Sequence, residues 1–184
     1  MQRLFILMLS MLSSSVILAA KSEYQIDLII FAQHPTMLRN DALPKDAPLI
    51  PINKGAIFLK VSSSKPPRPY ALLPKSYSSL SDEYYQLSRR SSYPILAYYS
   101  WRQPANNQST VTIPLTEHNG WQIQGTLRVS QTNYYTFDAY LQVSPPSNPQ
   151  SSFTVAQKHR LKKDQVYYLD NDHIGMIVKI HQIT

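Results

Sequence analysis

The chain has 184 residues, a formal net charge of +7 and no cysteine. The missing thiols exclude disulfides, thiolate metal sites and a lipid carried on an amino-terminal Cys. Fourteen prolines and thirteen tyrosines against four glycines speak for strands and extended loops and against a helical bundle.

At the amino terminus a single positive charge, Arg3, precedes an apolar run from Leu4 to Leu12. Ser13, Ser14 and Ser15 interrupt it before Val16, Ile17 and Leu18 lead into Ala19 and Ala20. The run falls short of the roughly 20 apolar residues that a spanning helix needs. Residues 1–20 are therefore expected to be a signal peptide, cut after Ala20 or Ser22. Residues 21–184 remain as a single domain, long enough to bury a core without cross-links, and no later segment is apolar enough to span a bilayer. A basic chain favours anionic partners. Export makes these cell-wall polymers, anionic headgroups or acidic proteins, and not nucleic acid.

Residues 24–33 (YQIDLIIFAQ) alternate at their ends and are apolar in the middle, the pattern of a central strand covered on both faces. Pro35, Pro44, Pro48 and Pro51 keep residues 34–53 irregular. Residues 56–61 read as a short strand, and Pro66, Pro67, Pro69 and Pro74 as a stiff extended loop. The one helix is predicted at 80–90: Leu80, Tyr84 and Leu87 recur at helical spacing, Asp82 and Glu83 occupy the first turn, and Arg89 and Arg90 close the last. Ser79 or Ser81 can cap it, and Pro94 follows its end.

Strands are expected at 95–101 and 111–115. Residues 121–129 place Trp121, Ile123, Gly125, Leu127 and Val129 on one face. Across a turn at 131–133, Tyr135, Phe137, Ala139, Leu141 and Val143 repeat the alternation, so the two form an antiparallel hairpin. A Pro/Ser/Asn loop at 144–152 precedes three more strands, at 153–161, 166–169 and 175–183, with a turn at 170–173. The fold class expected is α+β: mainly an antiparallel β-sheet meander, with one amphipathic helix packed on a face.

Period-two alternation places Lys158, Arg160 and Lys162 on one face of their strand. Such a row is either a docking stripe for carboxylates or phosphates, or the charge that protects an edge strand from aggregation. Tyrosines recur in adjacent pairs, 84/85, 98/99, 134/135 and 167/168. A strand turns one ring of each pair inward and the other outward, to cover the sheet or to pack against sugars and peptides. Asp170, Asp172 and His173 share one turn but lack further ligands, so no metal and no cofactor is expected. With no Gly-x-Ser-x-Gly elbow, no phosphate-binding glycine loop and scattered acids, catalysis is not expected.

Three segments, in order, resemble the CsiV family of periplasmic cell-shape-integrity proteins of Gram-negative bacteria. YQIDLIIF (24–31) is similar to an opening Y-x-V-E-V-I-V-F. YPILAYYSWRQP (93–104) is similar to Y-x-x-L-x-H-x-x-W-x-Q-P, and YLDNDHIG followed by MIVKI (168–180) to a closing H-Y-L-D-H-P-x-F-G and an apolar strand. GWQIQGTLRV fits the family's W-x-x-x-G hairpin. Tyr98, Tyr167 and Asn171 stand where the family has histidines, and Asp172 where it has Pro. The resemblance implies a non-enzymatic periplasmic protein that binds peptidoglycan and supports cell-wall assembly, with outer-membrane lipoprotein activators of penicillin-binding synthases as partners. The alternative is a protein–protein interaction component of a periplasmic or outer-membrane assembly. Trp101, Arg102 and Gln103 become candidate binding residues beside Lys158, Arg160 and Lys162, because they match the family and join a stacking ring to hydrogen-bond donors. For Trp101 the other role is core packing.

Overall fold

A computed structural model describes residues 22–33, 55–61, 67–146 and 152–183. The segment read as a signal peptide, residues 1–20, lies outside the described residues, as does the proline-broken stretch at 34–53. In chain order the elements are β1 (Glu23–Ala32), β2 (Ile57–Phe58), β3 (Lys60–Val61), β4 (Ala71–Leu72), a 3₁₀ turn (Lys75–Tyr77), α1 (Ser81–Ser88), β5 (Ile95–Pro104), β6 (Thr110–His118), β7 (Trp121–Gln131), β8 (Tyr135–Ser144), β9 (Phe153–Leu161), β10 (Val166–Asp170) and β11 (Ile174–Ile183).

The α+β class is as expected, and so, among the described residues, is one α-helix on a sheet face, but the strands divide between two sheets. The meander holds for β6 to β9, which form a five-stranded sheet ordered β2-β6-β7-β8-β9. The other six follow the order β10-β11-β1-β5-β4-β3. Pairing is antiparallel except where the two-residue strands β2 and β3 lie parallel to β6 and β4. The segment expected as one strand at 56–61 is split because the chain changes sheet there. β2 joins β6, Leu59 is buried with its N–H on Thr112 O at 3.1 Å, and β3 joins β4.

β1 is central in the six-stranded sheet, between β5 and β11, and its hydrophobic middle follows from being covered twice. Tyr24, Ile26, Leu28, Ile30 and Ala32 face the five-stranded sheet. There they join Trp121, Ile123, Leu127 and Val129 of β7, and Tyr135, Phe137, Ala139, Leu141 and Val143 of β8, in one buried cluster. The alternation read from the β7–β8 hairpin is thus the inner face of a two-sheet core. Tyr24 closes it, donating its hydroxyl to Val129 O at 3.0 Å while its ring lies 5.3 Å from that of Tyr135.

On the other face of β1, Ile29 and Phe31 bury Leu80, with Tyr84, Leu87, Tyr93, Ile95, Tyr98 and Ile177 packed around them. The helical spacing of Leu80, Tyr84 and Leu87 therefore points at the sheet as the pattern predicts. Neither Ser79 nor Ser81 caps α1; the N-cap residue is Leu80, without a side-chain cap. Ser79 is engaged elsewhere, giving Asp27 both its N–H (3.0 Å) and its hydroxyl (2.7 Å), and Ser81 bonds back to Ser78 O. Asp27 is fully buried. A buried carboxylate survives only when hydrogen bonds replace its lost water, and Gln25 and Ser100 supply further ones, with His181 Nδ1 at 3.7 Å. This polar knot fastens the 74–80 loop to β1 and so fixes where α1 begins. Arg89 and Arg90 fall just past the last helical residue.

Candidate functional site

Trp101 and Gln103 of β5 lie in the interior, each with no exposed surface. The indole Nε1–H donates to Gln103 Oε1 at 3.1 Å, and Gln103 Nε2 donates to Val129 O at 3.1 Å and to the Tyr24 hydroxyl. The ring offers no face to a sugar, and the amide ties the two sheets together. Core packing is the role the fold gives them. Arg102, between them in sequence, points to the opposite face of the six-stranded sheet and is half-buried. Its Nε lies buried without a hydrogen-bond partner among the described residues.

Lys158 and Arg160 are exposed on the outward face of β9, the last strand of its sheet. In register, Lys158 is opposite Asp138 and Arg160 opposite Thr136, while the guanidinium lies 4.5 Å from the Tyr134 ring centroid. Lys162 is one residue past the strand and exposed; its backbone N–H donates to the Tyr167 hydroxyl oxygen at 2.9 Å. The edge position suits the protective role of such charges, and their exposure leaves them open to an anion.

The tyrosine pairs divide as strand geometry requires. Tyr135 and Tyr99 are buried in the core and Tyr167 packs against it, whereas Tyr98 turns to the helix side and Tyr168 is 55% exposed. Tyr84 stacks on Tyr98 at 4.8 Å and 14°, with Lys75 Nζ 4.9 Å above Tyr84, so those rings are occupied by each other.

Tyr168 is different. Between α1 and the β10–β11 pair runs a cleft of about 360 Å³ lined by Phe31, Gln33, Glu83, Gln86, Leu87, Arg90, Tyr93, Tyr168 and Ile177. Phe31 is its floor, edge-on to Tyr93 (5.9 Å, 85°) and nearly parallel to Tyr168 (6.1 Å, 17°). The floor depends on Gly175, directly opposite Phe31 in the ladder: a Cβ there would stand 2.3 Å from Phe31 Cζ. Gln33 Nε2 donates to the Tyr168 hydroxyl (2.5 Å) and to Asp170 Oδ1 (2.6 Å), and that hydroxyl donates to the same oxygen at 3.0 Å. Burial, followed by the bond to Asp170, raises the Tyr168 pKa, so the phenol stays a protonated donor. The wall is fixed before any ligand arrives.

Asp170 is thus part of this wall, while the His173 ring lies 4.7 Å from Phe153; these two of the three turn residues weighed as metal ligands are engaged in hydrogen bonding and packing. Sequence reading missed Phe31, Gln33, Gln86, Arg90 and Tyr93 as site residues. The available signal was the 83, 86, 87 spacing on α1, beside the apolar stripe. The three segments that carry the family resemblance meet here: Phe31 from the first, Tyr93 from the second, and Tyr168, Asp170 and Gly175 from the third.

No curated protein and no solved structure matches the chain. Residues 3–183 match the family described as peptidoglycan-binding protein, CsiV. That match covers nearly the whole sequence. The chain belongs to the CsiV family of peptidoglycan-binding proteins.

Proposed function

We propose that this protein works in the periplasm as a non-catalytic peptidoglycan-binding protein that supports wall assembly. Residues 1–20 direct its export, residues 21–184 act as one unit, and the cleft beneath Tyr168 is where the wall is held. The observation that carries this reading is the cleft itself, with three aromatic rings around an unfilled groove and one wall pinned by the Gln33–Tyr168–Asp170 bonds. Aromatic faces pack against the apolar faces of sugars and peptides while fixed polar groups set orientation. The polar side chains of that wall are bonded to one another and are not arranged as a nucleophile beside a base, which supports binding without chemistry.

Sedimentation of the signal-less protein with purified sacculi tests this, and retention is expected at both low and moderate salt. Tyr168→Ala should weaken retention by about 0.5–1.5 kcal/mol, the worth of a stacked ring. Absence of sedimentation at both salts would sink the reading. The exposed row Lys158, Arg160 and Lys162 is assigned to a second contact, an acidic face of an outer-membrane lipoprotein activator of the penicillin-binding synthases. Charge reversal of all three should abolish co-purification with that partner and leave retention on sacculi in place; loss of sacculus retention instead would move wall binding to the stripe.

A further inference from the structure

The cleft has a polarity that a general wall-binding groove does not require. Its helical wall is formed by Glu83, Gln86 and Leu87 of α1, an i, i+3, i+4 series on one helix face, and Arg90, two residues past the helix end, lines the same cleft. An acid in the first turn of α1 and a guanidinium just beyond its last turn therefore line one cleft. Among the described residues the ion pairs are Lys163 with Asp164 and His181 with Asp27, so neither Glu83 nor Arg90 is paired. Leu87, Ile177 and the Phe31 and Tyr93 rings supply the apolar part of the same lining, with Gln86 beside them. The facing wall, Gln33 with Tyr168 and Asp170, is closed on itself by hydrogen bonds.

A ligand complementary to this arrangement is extended, aliphatic or ring-faced in its middle, cationic at the Glu83 end and anionic at the Arg90 end. Neutral N-acetylated sugars would use the rings and neither charge. A short peptide containing a diamino acid offers a free ammonium, an aliphatic chain and a carboxylate within one extended segment. Building on the wall-binding reading, we propose that the cleft reads the peptide stem of peptidoglycan and not its glycan strand. Glu83 receives the ammonium, Arg90 holds a carboxylate in a charge-assisted pair, and the aromatic floor takes the aliphatic chain between them.

Calorimetric titration of the signal-less protein with a soluble stem tetrapeptide carrying a diamino acid, and separately with chitotetraose, tests this. The peptide should bind and chitotetraose should not. Glu83→Gln and Arg90→Gln, both surface changes on or beside α1 whose folding circular dichroism can verify, should each weaken peptide binding by up to about fivefold, the range for exposed charge pairs. Acetylating the peptide's free amine should weaken binding to the parent protein and make no further difference to Glu83→Gln. Sacculi stripped of their stems by an amidase should no longer retain the protein.

Binding of neither soluble probe overturns the proposal, as does retention on stem-free glycan competed by chitotetraose. In the latter case wall binding itself stands and only the choice of ligand fails. Undiminished peptide binding by both variants also overturns it, placing the peptide away from the cleft. Loss of sedimentation with intact sacculi by the parent protein is the separate outcome that removes the underlying reading.

Discussion

An indole with no exposed surface acts through packing, so Trp101→Ala removes a large core volume and leaves Gln103 Oε1 without its donor. The expected loss is about 3–5 kcal/mol, read as a shift in urea midpoint; a loss below about 1 kcal/mol would contradict the burial. Gly175→Ala probes the cleft from below. Its methyl would meet Phe31 Cζ at 2.3 Å and Gln33 Nε2 at 2.9 Å, so the floor ring and the amide that pins Tyr168 must both shift. Overpacking of this kind costs about 1–3 kcal/mol, and weakened sacculus retention should accompany a fold that near-ultraviolet circular dichroism shows is kept. Unchanged retention would mean that the floor can move without consequence. At this scale the sequence was misleading for a physical reason. Trp-Arg-Gln reads as a stacking ring with donors, but burial of Trp101 is set by β7 crossing above it, and the inward amide of Gln103 breaks the polar-out rule because Val129 O and the Tyr24 hydroxyl await it.

Elements were more legible than single residues, because periodicity reports which face is covered. β1, β7, β8 and β9 follow their patterns closely, and α1 buries the side its spacing marks. β6 was read short, at 111–115, since Pro114 interrupts the ladder; the register shifts between Ile113 and Thr116 and the strand then continues to His118. The Asn119-Gly120 pair that follows, with φ of 51° and 79°, is the two-residue hairpin signal that places β6 against β7. α1 has eight residues, too few to persist alone in water, so it depends on Leu80 and on the Tyr84–Tyr98 stack. Leu80→Ala should detach it at about 2–5 kcal/mol. Hydrogen exchange should then rise across residues 81–88 while β1 and β11 stay protected, and stem or sacculus binding should fall with it. Equal loss of protection in β1 would show instead that the helix and sheet unfold as one unit.

For the whole molecule, the division into two sheets was not readable from alternation, which says that a strand has an inner face but not which strand lies opposite. The change of sheet at Leu59 is a matter of chain path, encoded in no local pattern. What composition did carry is the consequence of a tyrosine-rich core. Tyr24, Tyr70, Tyr98, Tyr99 and Tyr135 all have raised pKa values, with burial the largest cause in each. In the unfolded chain these phenols ionise near pH 10, whereas in the folded chain they hold their protons to higher pH. Above about pH 10 the unfolded state therefore binds fewer protons than the native one, and stability falls with rising pH through the raised folded values. Below that point this contribution is fully present and flat. Melting temperatures measured from pH 8 to 11 should hold level and then drop near pH 10, with part of the tyrosinate absorbance held back until the fold is lost. Tyrosinate absorbance that rises fully near pH 10 while the fold persists would show that these rings are open to water, and the two-sheet core with Tyr24 at its seam would have to be redrawn.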